Sequence, residues 1–114
     1  MGNAKIINFT SNQLDDINSY MPPKEDMQQM ADFFSLFSDL TRIRILSLLS
    51  MGECCVNDIS NILEINQTTV SHQLKMLRAN GIVKFRRVGK IIFYSIANTH
   101  INNLMNSVVN CVFA

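Results

Sequence analysis

The sequence predicts a mainly α fold with a small β-hairpin wing (α+β), the winged helix-turn-helix, in dimeric form. Three observations point there. Short segments with apolar residues at helical spacing follow one another between Leu40 and Asn80. The turn joining the last two, Leu63 to Gln67, is short enough for a helix-turn-helix. Two β-rich runs come next and flank Gly89. A chain of 114 residues also buries a modest core, which pairing of two copies commonly supplements.

Residues 1–23 are expected to form an N-terminal arm with a short helix, and residues 24–114 a winged helix-turn-helix domain closed by a dimerisation helix. In the arm, Ser11 is the expected cap of a helix to about Tyr20, with Leu14 and Ile17 inward; Pro22 and Pro23 end it. A helix over Lys24 to Phe37 follows, with acids in its first turn and Met27, Met30, Phe33, Phe34 and Phe37 at helical spacing. Ser38 or Asp39 caps the next, Leu40 to Ser50, apolar at Leu40, Ile43, Leu46 and Leu49. Val56 to Leu63 reads as a short helix capped by Asn57, with Ile59, Ile62 and Leu63 inward. Asn66 caps Gln67–Asn80, and Gly81 stands where a left-handed terminating residue is wanted. The strands are Ile82–Arg87 and Ile91–Ile96. A final helix runs from Asn98 or Thr99 to Phe113 with Ile101, Leu104, Met105, Val108 and Val112 as its apolar stripe.

The net charge of +1 conceals a division. Every acid lies at or before Glu64, whereas Lys75, Arg78, Lys84, Arg86, Arg87 and Lys90 cluster after it. A one-sided cationic field of this kind suits a polyanion. At about 100° per residue, Val70, Leu74 and Leu77 fall on one side of the Gln67–Asn80 helix; Gln67, Thr68, Ser71, His72 and Lys75 fall on the other. Gln can donate to and accept from adenine, hydroxyls reach bases or phosphates, and Lys neutralises phosphate. Arg87 and Lys90 beside Gly89 would place a wing over phosphates or in the minor groove. The expected partner is double-stranded DNA.

No apolar run approaches the roughly 18–20 residues that span a bilayer, and the start lacks a long apolar signal core. The expected location is cytoplasmic, with no membrane partner. An enzyme is not expected, for no phosphate-cradling Gly loop, G-x-S-x-G or H-E-x-x-H occurs. Cys54, Cys55 and Cys111 are too few and odd in number for a disulfide framework, and in a reducing compartment read as buried, reactive or metal-binding.

The runs FFSLFSDLTRIRILSLL, ECCVNDIS and NQTTVSHQLKMLRANGIVKFRRVGKIIFYSI resemble the ArsR/SmtB family of bacterial winged-helix repressors, over about residues 30–100. The resemblance implies a homodimer that holds operator DNA and lets go when a metal or other inducer binds. It implies DNA contacts from Gln67, Thr68, Ser71 and His72 of the reading helix and from Arg87 and Lys90 of the wing. It also implies two sensing regions. In the first, Cys55 matches one cysteine of the family motif, Asn57 replaces the other, and Cys54 stands at the usual Leu. In the second, on the last helix, the ligand positions are Asn98, His100, Cys111 and Ala114.

His100 and Cys111 share a helix face roughly 16 Å apart along the axis, too far for one ion. An antiparallel partner helix would set His100 of one subunit against Cys111 of the other, giving two symmetric sites. Imidazole with thiolate suits zinc, cadmium or copper(I) as inducer, with no cofactor otherwise required. The terminal carboxylate at Ala114 would stand near the fourth ligand position. Three alternatives stay open within this reading. Some relatives sense oxidants or persulfides through two cysteines; Cys111 matches one and Ser47 stands near the other, so Cys55 would serve only with its Cα within about 7 Å of that of Cys111. The chain could equally be a regulator without a sensor, or a winged-helix module for protein contact.

Overall fold

The computed structural model describes residues 6–113. The elements in chain order are α1 Ser11–Tyr20, α2 Lys24–Ser35, α3 Leu40–Met51, β1 Cys54–Cys55, α4 Val56–Leu63, α5 Gln67–Ala79, β2 Val83–Val88, β3 Ile91–Ile96 and α6 Thr99–Phe113. They fall into two units, Met1–Phe33 and Phe34–Ala114.

In the first unit, the cap of α1 is Thr10, not the expected Ser11. The Thr10 hydroxyl accepts from the Gln13 amide at 3.2 Å, and the Gln13 side chain accepts from the Thr10 amide at 2.9 Å. A capping box needs Gln or Glu three residues on, which Thr10 has and Ser11 lacks. Leu14 and Ile17 are half-buried, on the expected face. Glu25 and Asp26 sit in the first turn of α2, where the helix dipole favours negative charge.

Helix α2 closes at Ser35, two residues before the expected Phe37. Phe37 and Ser38 donate instead to carbonyls three residues back, which tightens the chain out of the α-helix. Arg42 of α3 donates to the Leu36 carbonyl at 2.9 Å and to the Ser35 carbonyl at 3.3 Å, the latter shared with Ser38. Asp39 caps α3 by accepting from the Arg42 amide at 3.0 Å.

The core of the second unit is Ile45, Leu46, Ile59, Val70, Leu74, Leu77 and Ile82, with no polar or charged residue buried among them. Two expected core positions differ. Leu40 is 74% exposed and Ile62 is 59% exposed, while Ile45 takes the buried place in α3. Ile43, Ile45, Leu46, Leu48 and Leu49 surround α3, so helical spacing does not single out one face. The start of α4 also differs. Its cap is Cys55, which makes no side-chain cap bond, and Asn57 lies inside the first turn. Cys55 is still in strand conformation because β1 pairs antiparallel with β3, Cys54 against Tyr94 and Cys55 against Phe93. The sheet is thus three-stranded in the order β1-β3-β2, one strand more than the expected hairpin. Two residues are too few to show alternation.

The turn between α4 and α5 is held from several directions. Glu64 adopts the left-handed conformation (φ 56°, ψ 47°), and Ile65 donates to the Ser60 carbonyl at 3.1 Å. The Ser60 hydroxyl donates back to the Ile65 carbonyl at 2.6 Å, and Arg44 of α3 donates to the Leu63 carbonyl at 2.7 Å. A non-glycine residue in this conformation is strained, and the chain entropy of glycine offsets part of the gain from removing it. Glu64→Gly should therefore stabilise the fold by about 0.5–1 kcal/mol, read by chemical denaturation. A loss of stability would mean that the Glu64 side chain supplies a compensating contact.

Candidate nucleic-acid interface

Helix α5 offers a polar outer face because its apolar positions are spent inward. Val70, Leu74 and Leu77 have no exposure, and Gln67, Thr68, His72 and Lys75 are all exposed, with Ser71 half-buried. Asn66 caps the helix as expected, its side-chain oxygen accepting from the Thr68 amide at 2.7 Å. The other end closes on Gly81 at φ +74°, with Ile82 donating to the Leu77 carbonyl at 2.9 Å.

The wing follows at once. β2 and β3 pair from Val83–Ile96 to Val88–Ile91, turning through Gly89 at φ +61° and Lys90. Directly opposed residues share a sheet face and successive ones alternate. Val83, Phe85 and Arg87 therefore share a face with Tyr94 and Ile92; Lys84 and Arg86 share the other with Ser95 and Phe93. The Arg78 guanidinium of α5 lies 4.0 Å over the Phe85 ring, and Phe85 meets Tyr94 at 6.1 Å between centroids. This clamps the end of α5 onto the Arg87 face.

The cations that read alike in sequence separate here. Arg86 turns back to Glu53 in a forked ion pair, with Nε at 2.9 and 3.1 Å from the two carboxylate oxygens and Nη2 on Oε1. It also lies 5.1 Å over Phe93. Arg87 and Lys90 join no ion pair among the described residues. Gln67 and Lys90 both line a cleft of about 580 Å³ with Cys55, Asn57, Asp58 and Phe93. There the Gln67 amide donates to Asn57 Oδ1 at 2.9 Å. Sequence reasoning missed this bond and the Glu53–Arg86 pair; the signal for the second was Glu53 lying beside a strand too short to recognise.

The residues of the expected sensing regions do not converge within one chain. Cys54 and Cys55 are neighbours in β1, so they leave opposite faces of the sheet and cannot chelate one ion together. Burial, then the charges of Asp58, Cys55 and Glu53, push the Cys54 thiol up from its ordinary value, which disfavours the thiolate that ligates metals. His100 is exposed in the first turn of α6 and Cys111 in its last. Asn98 caps α6, accepting from the Ile101 amide at 3.0 Å. Ala114 lies outside the described residues. Among the described residues no three His, Cys, Asp or Glu side chains gather as a metal site. None of the described helices is long and apolar enough to cross a membrane.

Comparison with known proteins agrees with this geometry. Residues 39–84 match the family model described as bacterial regulatory protein, arsR family. Over 86 residues the chain is 42% identical to a transcriptional repressor SmtB homolog of Synechocystis, covering 75% of this chain and 65% of that protein. It is 40% identical over 83 residues to a cadmium resistance transcriptional regulatory protein CadC homolog of Staphylococcus aureus, covering 72% and 69%. Among solved structures, a homodimeric winged helix-turn-helix DNA-binding domain from Mycobacterium bovis superposes with a TM-score of 0.69 at 30% identity, covering 78% of this chain and 84% of that one. These relatives are regulators, not enzymes.

The Arg86 side chain beside Glu53 holds its carboxyl below the ordinary value of 4.5. A carboxyl whose folded value is depressed contributes stability above its unfolded value and loses it as pH falls through the folded one. The stability difference between wild type and Glu53→Gln should thus be full at neutral pH and vanish on acidification below the usual carboxylate range. A difference independent of pH, in denaturation at several pH values, would show that the pair does not tie the wing to β1.

Proposed function

The chain belongs to the arsR family of bacterial regulatory proteins, and on that premise we propose that it is a transcriptional repressor, which grips double-stranded operator DNA as a homodimer and lets go in response to an inducer. The observation that carries this reading is the acid-free outer face of α5, Gln67, Thr68, Ser71, His72 and Lys75, presented beside Arg87 and Lys90, which join no ion pair among the described residues. In this reading the helix enters the major groove, where Gln67, Thr68, Ser71 and His72 meet base edges. Lys75, Arg87 and Lys90 neutralise phosphates and supply most of the affinity.

Dimerisation through the first long helix and α6 accounts for the apolar groove of about 220 Å³ that Phe34, Phe37, Leu104, Val108 and Phe113 line in the second unit. Two such reading helices would meet half-sites about one helical turn apart, so the operator is an imperfect palindrome.

For the inducer we propose a thiophilic metal ion, zinc, cadmium or copper(I), held between protomers by His100 of one and Cys111 of the other, with Cys55 as a separate ligand position. The donor chemistry fits these ions. The exposure of both side chains on α6 supports a site that needs the second copy. Release requires that the free dimer bind the inducer better than the DNA-bound one, typically by ~1–3 kcal/mol. A regulator without a metal sensor is the second reading. It is favoured by Asn57 and Asn98, whose side chains stand at ligand positions but are engaged in hydrogen bonds of their own.

Two experiments decide. In salt titrations of duplex binding, Arg87→Ala should lower the slope of log affinity against log salt by about one, while Arg86→Ala, already neutralised by Glu53, leaves it nearly unchanged. Equal slopes for wild type and Arg87→Ala would remove the wing from the interface. In gel-shift release with zinc, cadmium and copper(I), His100→Ala and Cys111→Ser homodimers should each stay bound, and a mixed dimer of the two, which keeps one intact site, should respond again. Release of both homodimers would discard the site on α6; no release of wild type by any metal would favour the sensor-less reading.

A further inference from the structure

We propose that Asn57 is a specificity-positioning residue, which orients the side-chain amide of Gln67 so that Gln67 selects adenine. The inference rests on the DNA-reading role proposed above for α5. Asn57 is exposed in the first turn of α4, and its Oδ1 accepts from Gln67 Nε2 at 2.9 Å across the helix-turn-helix.

The backbone of Gln67 has little freedom left. Asn66 caps the helix start, with its carbonyl accepting from Val70 at 3.0 Å. Ser60 and Arg44 hold the preceding turn. What remains is the exposed side chain itself, two staggered torsions and then rotation of the terminal amide, which is broad and two-fold. Its two orientations exchange a carbonyl oxygen for an amino group, and so exchange an acceptor for a donor at the groove.

The bond to Asn57 ties the orientation of the Gln67 amide to that of the Asn57 amide, which turns its oxygen toward Gln67. With Asn57 Oδ1 facing Gln67, only the orientation that turns the amino group toward α4 makes a bond. The other sets two oxygens against each other with no proton between. One Nε2 hydrogen is then committed to Asn57. Left for the groove are Gln67 Oε1 and the second Nε2 hydrogen, an acceptor beside a donor. Adenine offers the complement, the N6 donor beside the N7 acceptor. Among the described residues Gln67 makes no other side-chain hydrogen bond, so this orientation depends on Asn57 alone.

The test selects duplexes from a randomised pool with the full chain, as wild type, Asn57→Ala, Asn57→Asp and Gln67→Ala, and compares base preference position by position. Wild type should prefer adenine at one position of each half-site, and Gln67→Ala should lose that preference. Asn57→Ala should reduce it by on the order of fivefold or more at that position and leave the others intact. Asn57→Asp can only accept, so it should keep the adenine preference although its added negative charge lowers total affinity. A merely structural role for Asn57 would weaken all positions together and would not be rescued by Asp. An Asn57→Ala profile identical to wild type overturns the proposal, as does loss of the preference in Asn57→Asp but not in Asn57→Ala. If Gln67→Ala changes no position while duplexes are still selected, Gln67 reads no base and the proposal fails with it, though DNA binding stands. If wild type enriches no duplex, the DNA-binding function fails first.

Discussion

Three side chains of α5, Val70, Leu74 and Leu77, have no contact with solvent, and this buried stripe sets what the protein presents to the outside. Each contributes roughly 1.5–3 kcal/mol by leaving water. Turning the helix about its axis would expose them and carry His72 or Lys75 into an apolar core that contains no polar partner. The rotation of α5 is therefore fixed by burial. The chemistry of its outer face follows from the residues left over.

Burial does not fix how far α5 slides or tilts; its two ends do. At the start, the left-handed Glu64, the Ser60–Ile65 bonds and the Arg44 bond to Leu63 define the turn from which the helix leaves. At the finish, Gly81 reverses the chain and Arg78 packs over Phe85 of the wing. Helix α5 and the wing are thus joined at a short, closed corner, so a displacement of one carries the other with it.

Much of this was legible in the sequence, for definite reasons. Helix α5 alternates apolar and polar residues at a clean helical period and begins at an Asn cap, so both its boundaries and its faces could be read. Gly81 announced a left-handed position and Gly89 the tip of the wing, whereas nothing in the residue type announced the left-handed Glu64. Helix α3 misled because apolar side chains surround it, which put Leu40 on the expected apolar face and left out Ile45. β1 was invisible because a two-residue strand has no period and draws its identity wholly from β3. The cap of α4 followed from that omission, since Asn57 is a good capping residue unless the preceding residue is still paired in a sheet. At the site, spacing along the chain grouped Arg86 with Arg87. Strand alternation divides them, and only pairing partners far away in sequence reveal where each member goes.

The order β1-β3-β2 leaves β2 as an outer strand, and β1 covers only two residues of the far edge. A strand in that place carries a row of unsatisfied amides and carbonyls that invites another chain to add to it. Lys84 and Arg87 occupy this strand, and their charge opposes edge-to-edge pairing of one copy's sheet with another's. The positive charge of this edge thus guards against aggregation, and a variant stripped of it would lose solubility.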